Sequence, residues 1–153
     1  IGNTNMAISN HSSFALSRKH IDREDGGDSL PAYGERERDA TTNRVPGAIF
    51  RVTLDHTHPL AFGIDGDYFS LKTSAQSFDY LERGWNVGTV QESGPVTGFA
   101  GHSASQNLEN SLSFGVQQHG SGSVVYMVDN PLFRAFWENG KLLFVNALFF
   151  VNN

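Results

Sequence analysis

The sequence contains no cysteine, which removes thiol nucleophiles, disulfide frameworks, Cys-ligated zinc and iron–sulfur clusters together. Basic residues are scarce as well: 11 Lys and Arg stand against 16 Asp and Glu, a formal charge of −5. A sequence pI near 5.6 lacks the basic excess with which proteins track phosphate backbones, so DNA and RNA are not expected partners. No apolar run approaches the roughly 20 residues that a membrane helix requires. The first residues carry no basic stretch leading into an apolar core of the signal-peptide kind, so a membrane is not an expected partner either. What remains is a chain of 153 residues, length enough for one domain with its own hydrophobic core, or a fragment of one. It opens at Ile1 with Met6 as its first methionine, and reads as a trimmed or excised piece of something longer.

Charge and aromaticity divide the chain. Thirteen of the 27 charged residues lie between Arg18 and Arg44, while 16 of the 18 aromatics follow residue 45. Residues 1–44 therefore read as a polar, partly irregular segment and 45–153 as the folded body. Within the first zone, Arg23-Glu24-Asp25-Gly26-Gly27-Asp28-Ser29-Leu30-Pro31 favours an irregular loop, and 24–31 is expected to be its most mobile part. Glu35 to Asp39 alternates in sign residue by residue, which suits a short solvated helix or a surface loop.

The second zone supplies strands. Ala48 to Leu54 has bulky β-formers begun after Pro46-Gly47 and closed by Asp55. Leu60 to Gly63, Tyr68 to Lys72, Asn86 to Val90, Pro95 to Phe99 and Leu112 to Val116 are further candidates, separated by turn signals such as Asp65-Gly66-Asp67. Ser123 to Val128 is a continuous apolar run after Gly120-Ser121-Gly122, the pattern of a central strand buried on both faces. Pro131 to Trp137 is expected as a short helix capped by Asp129 or Asn130 and ended at Asn139-Gly140. Leu142 to Phe150 fits helix or buried strand on periodicity, and its leucines and Ala147 favour helix. These elements make an α/β or α+β domain.

Catalytic motifs are mostly missing. There is no His-Glu-x-x-His, and none of the six His has Glu three residues on. Gly101-His102-Ser103-Ala104-Ser105 begins like a nucleophile elbow but lacks its closing Gly. No Gly-rich phosphate loop or dinucleotide fingerprint occurs. The remaining ligand candidates are few. His56 and His58 would share one face of a strand, although Pro59 directly after them makes a structural or exposed role the first reading. His20 and Glu24 would share a helix face, but Asp25-Gly26-Gly27 follows at once. Asp129 falls at the carboxyl end of the expected central strand, where open α/β sheets place ligands, with Arg134 just beyond. The plainer reading makes Asp129 a helix cap and pairs Arg134 with a local acid.

Four linked stretches carry a resemblance: Asn43 to Val52, Asp55 to Gly63, Val128 to Trp137, and Asn146 to Phe150. Together they resemble the C-terminal region of large bacterial zinc carboxypeptidases of the M14 type. The resemblance implies a domain with part of a flavodoxin-like or class I glutamine amidotransferase-like sheet, plus additional strands and C-terminal helices, following a peptidase domain. Ile1-Gly2-Asn3 is similar to the end of a strand in that later domain. The family's zinc ligands and catalytic Glu belong to the peptidase domain, and none has a match here. Amidotransferase chemistry needs a nucleophilic Cys that this chain lacks.

Three readings follow. The first is a non-catalytic accessory domain of a secreted or periplasmic metallopeptidase, without cofactor of its own. Zinc would sit in the parent's peptidase domain, which would be the partner, together with peptide substrate. The second is an independent peptide- or glycan-binding module using exposed aromatics such as Trp85 and Trp137. The third is a small enzyme built on His102 with Ser103 or Ser105, or on Asp129, and it requires a serine hydroxyl hydrogen-bonded to an oriented histidine.

Overall fold

Pro46 and Gly47 release the chain into the first strand, β1 (Gly47–Leu54), in a computed structural model that describes residues 3–9, 11–19 and 32–151. Alternation then decides its faces: Ala48, Phe50, Val52 and Leu54 point into the core, while Arg51 turns outward to Asp67 at 3.5 Å and Glu92 at 3.9 Å. Each large apolar side chain buried this way contributes about 1.5–3 kcal/mol.

β2 (Tyr68–Lys72) pairs with β1 on one side, with Phe50 opposite Ser70. On the other side β1 pairs with β3 (Trp85–Val90) near its end and with the short β4 (Thr97–Phe99) near its start. β5 (Ser111–His119) joins β3, and β6 (Gly122–Met127) joins β5 through a two-residue Gly120-Ser121 hairpin turn in which Gly120 takes the left-handed φ of 60°. The order is β2-β1-β3-β5-β6, and all five pairings are antiparallel. Asp129, just past β6, nevertheless hydrogen-bonds Ser70 and Lys72 of β2. The sheet is curled until its two edges meet.

Helices α1 (Asn3–Ile8), α2 (Tyr33–Thr42), α3 (His102–Leu108) and α4 (Glu138–Phe149) complete a mixed α/β architecture. The open side of β6 is covered by the N-terminal segment: Asn5 Nδ2 donates to the Met127 carbonyl at 2.7 Å, and Met6, Ile8, Phe14 and Ala15 pack on the cluster of Leu16, Tyr126 and Val128. β2 is covered by Trp137, whose Nε1 donates to the Phe69 carbonyl at 3.1 Å. Both edges are thereby closed to further strands.

Several expectations need correction. Leu60 to Gly63 is not a strand, because Pro59 fixes φ and His58 caps a 3-10 turn at Pro59–Ala61. Ser123 to Val128 forms an edge strand, and the doubly buried one is β5, buried from Ser111 to Gln117. Its second face is lined by small residues, and a Cβ on Gly115 would lie 2.7 Å from the Trp85 carbonyl. Close packing of Ser and Gly hides that strand from a search for apolar runs. Pro131 to Trp137 yields one 3-10 turn, Phe133–Ala135, since Arg134 and Ala135 take φ of 48° and 59°. Asn139-Gly140 begins α4 instead of ending a helix.

Neither Asp129 nor Asn130 caps the Phe133–Ala135 turn with its side chain: Leu132 takes the N-cap position, and Asn130 Oδ1 accepts from Leu132 N at 3.0 Å just ahead of it. Asn3 opens a helix where a strand end was expected. Packing begins well before residue 45, since Leu16 is fully buried. A flavodoxin-like sheet is parallel, unlike this one. The helical form of 35–39 and the segments around Val125 and Phe144 agree with expectation, both side chains being partly buried against the core. His20 with Glu24 and the segment 24–31 lie outside the described residues.

Candidate functional site

β1 ends at Leu54, and Asp55 immediately folds the chain back: its Oδ1 accepts from Thr57 N at 3.0 Å and Thr57 Oγ1 at 2.6 Å. Those bonds, the hydroxyl's first, hold the Asp55 carboxyl below its ordinary range. The turn delivers His58 to a half-buried position where Nδ1 accepts from Leu60 N at 3.1 Å. Burial pushes the imidazole pKa down against the opposing pull of Asp55. The neutral tautomer required by that bond carries its proton on Nε2, so His58 offers the surface a donor rather than a lone pair. His56 remains exposed. The two histidines are neighbours without being a ready pair of metal ligands, and among the described residues no group of three or more His, Asp or Glu is gathered to hold an ion.

His56, Thr57, His58, Pro59, Phe62 and Phe150 line an open groove of about 410 Å³. The Phe62 and Phe150 rings meet edge to face at 5.5 Å, and the Trp85 ring lies 5.9 Å from His58 with 49% of the residue exposed. From Phe62 the apolar surface continues onto α4. Leu142, Val145, Leu148 and Phe149 share one side of that helix, and Leu148 and Phe149 are 60% and 63% exposed. Asn146, the one polar residue between Leu142 and Phe150, is turned inward, its Nδ2 donating to the carbonyls of Leu60 and Phe62 at 3.0 and 2.7 Å. Leu143, Phe144 and Ala147 pack inward beside Asn146, so beyond its first turn α4 is apolar on both its inner and its outer side, unlike an ordinary surface helix.

The other two candidates part company. Asp129 Oδ2 accepts from Ser70 Oγ at 2.7 Å and from Lys72 Nζ at 2.8 Å, and Lys72 is 0% exposed. Arg134 is exposed and stacks over Phe133, 5.2 Å from the ring centroid, without an acidic partner among the described residues. Sequence reading missed Lys72, although the alternation Tyr68, Ser70, Lys72 carried the signal by placing the lysine on the face of the buried tyrosine. Trp137 is partly buried, its indole N–H used by Phe69. No serine hydroxyl among the described residues hydrogen-bonds a histidine, so the geometry demanded by the small-enzyme reading is not formed around His102.

Among the described residues no helix is long and apolar enough to cross a membrane. No family model, curated protein or solved structure matches the chain.

Proposed function

We propose that this chain is a non-catalytic accessory module, the C-terminal domain of a secreted bacterial zinc carboxypeptidase of the M14 type, seated on the peptidase domain of the same polypeptide through the outer face of α4. The supporting observation is the apolar outer face of that helix beyond its first turn, formed by Leu142, Val145 and Leu148. A helix stretch apolar on both sides belongs in an interior, and here Leu142, Val145 and Leu148 are 38%, 43% and 60% exposed on the outer side.

With Phe62 and Phe150 the exposed patch is on the order of 500 Å², near the top of the range for an ordinary monomer's largest patch. Matched by an equal area of partner, it has the size of an interface between domains of one chain. Covering it is worth on the order of 10 kcal/mol before the costs of ordering. The family reading rests on the quoted stretches and on α4; an antiparallel sheet lends the amidotransferase-like part of the resemblance no support. Zinc and its ligands would belong to the peptidase domain, and His56, His58, Asp129 and Arg134 have no catalytic role in this reading. Sequencing the reading frame upstream of Ile1 tests it: a preceding domain with a His-x-x-Glu motif is the expected finding, and a frame without one contradicts the family.

One observation favours an alternative, an independent peptide- or glycan-binding module: the half-exposed Trp85 stands beside His58 at the groove. Fluorescence titration of a Trp137→Phe variant, with Trp85 as the sole reporter, against short peptides and oligosaccharides distinguishes the readings. Saturable quenching supports the alternative, and its absence favours the docking module.

A further inference from the structure

The interior between β2 and β6 contains a chemistry that the docking face does not use. Lys72 Nζ and Asp129 Oδ2 stand 2.8 Å apart, with the lysine inaccessible to solvent and the Asp129 side chain 11% exposed. Tyr68, Phe114, Met127, Pro131 and Leu143 surround the site, with the hydroxyls of Ser70 and Ser113 as its other polar groups, so little water reaches the pair. An ammonium has three protons to place, and among the described residues Asp129 Oδ2 is the one acceptor facing Nζ. Once it gives up a proton, a lysine so held is a nucleophile standing beside a carboxyl group.

We propose that Lys72 and Asp129 condense into an isopeptide bond that covalently joins the two edges of the curled sheet. The proton on Nζ first passes along the 2.8 Å hydrogen bond to Oδ2, leaving a neutral amine and a neutral acid. The amine lone pair attacks Asp129 Cγ. Ser70 Oγ, which already donates to Oδ2 at 2.7 Å, gives its proton to that departing oxygen and recovers one from the attacking nitrogen. The Cγ–Oδ2 bond breaks, an amide forms, and one water leaves, with no oxidant, metal or activating group required. Beside the pair lies a cavity of about 10 Å³, close to the least that holds one water, and the exposed edge of Asp129 gives that water a way out. The Tyr68 phenol, pushed up to about 12 by burial and then by the Asp129 carboxylate, keeps its proton throughout the neutral range. It adds no competing charge to the site.

The bond would fix the sheet's closure, which the ladder hydrogen bonds do not make, since β2 and β6 do not pair. Intact mass spectrometry of the purified, denatured wild-type chain tests it. The expected mass is below the sequence mass by one water, and digestion gives a branched peptide joining Lys72 to Asp129. Lys72→Met and Asp129→Ala restore the full mass of their own sequences, and Ser70→Ala slows condensation by tenfold or more when mass is followed after refolding. A wild-type chain of full sequence mass, folded by circular dichroism, overturns the proposal whether or not the variants fold.

Discussion

Asn146 donates its side-chain amide to the carbonyl of Leu60 at 3.0 Å, joining the middle of the last helix to a turn 86 residues earlier. A second bond to Phe62 at 2.7 Å makes this one side chain the polar link between α4 and the Pro59–Ala61 turn. Because Asn146 is spent inward, the exposed face of α4 beyond its first turn, from Leu142 to Phe149, is apolar, while Glu138, Asn139 and Lys141 keep the first turn polar.

Replacing Asn146 with Ala leaves the Leu60 and Phe62 carbonyls without that donor. The expected cost is about 1–3 kcal/mol, read from the midpoint of urea denaturation. A stability equal to wild type would mean that apolar packing alone positions α4.

The outward residues are expected to behave in the opposite way. Leu148→Glu changes a side chain that is mostly exposed, so folding stability should change by no more than about 0.5 kcal/mol. Binding of an apolar dye to the isolated chain should fall, as should self-association seen by light scattering. A loss of several kcal/mol would show that this side chain already belongs to the core.

Gly140→Ala is expected to destabilise by about 1–3 kcal/mol. The added Cβ would fall 1.8 Å from the Pro131 carbonyl oxygen, so the start of α4 and the preceding segment must separate. Thermal unfolding monitored by circular dichroism measures the change.

The same glycine illustrates what sequence makes legible. Most strands were readable because alternation and β-branched composition report directly on one buried face, as in Ala48 to Leu54 and Tyr68 to Lys72. Gly140 was misread because Asn-Gly signals a helix end through local geometry, whereas here it answers a close approach from Pro131, a contact set by the tertiary fold. The run of Val and Tyr in β6 suggested a central strand, but its outer cover comes from the N-terminal segment, which composition alone marked as polar. The candidate residues His56, His58, Asp129 and Arg134 are each legible as isolated polar groups, whereas Lys72, the buried partner of Asp129, lies within a strand and carries no local signal beyond alternation. Nothing local reveals that Asn146 faces inward.

His58 carries a pH dependence. Burial lowers its folded-state pKa below the ordinary 6.5, so folding favours the neutral imidazole. Its contribution is therefore fully present above pH 6.5 and is lost as the pH falls below 6.5 through the lower folded-state pKa, where protonation also removes the lone pair that accepts from Leu60 N. The stability difference between wild type and His58→Phe should narrow between pH 7.5 and 5.5, and proton NMR titration should place His58 below 6.5. A midpoint above 6.5 would reverse the sign and contradict the geometry.

The most direct measurement concerns the outer face of α4. Hydrogen exchange of residues 142–150 should be compared between this chain alone and the full product of its reading frame. Slower exchange in the full polypeptide, returned to the isolated rate by Leu148→Glu, is the expected result. Equal exchange in both, with the preceding domain folded and present, would contradict a docking role for this helix.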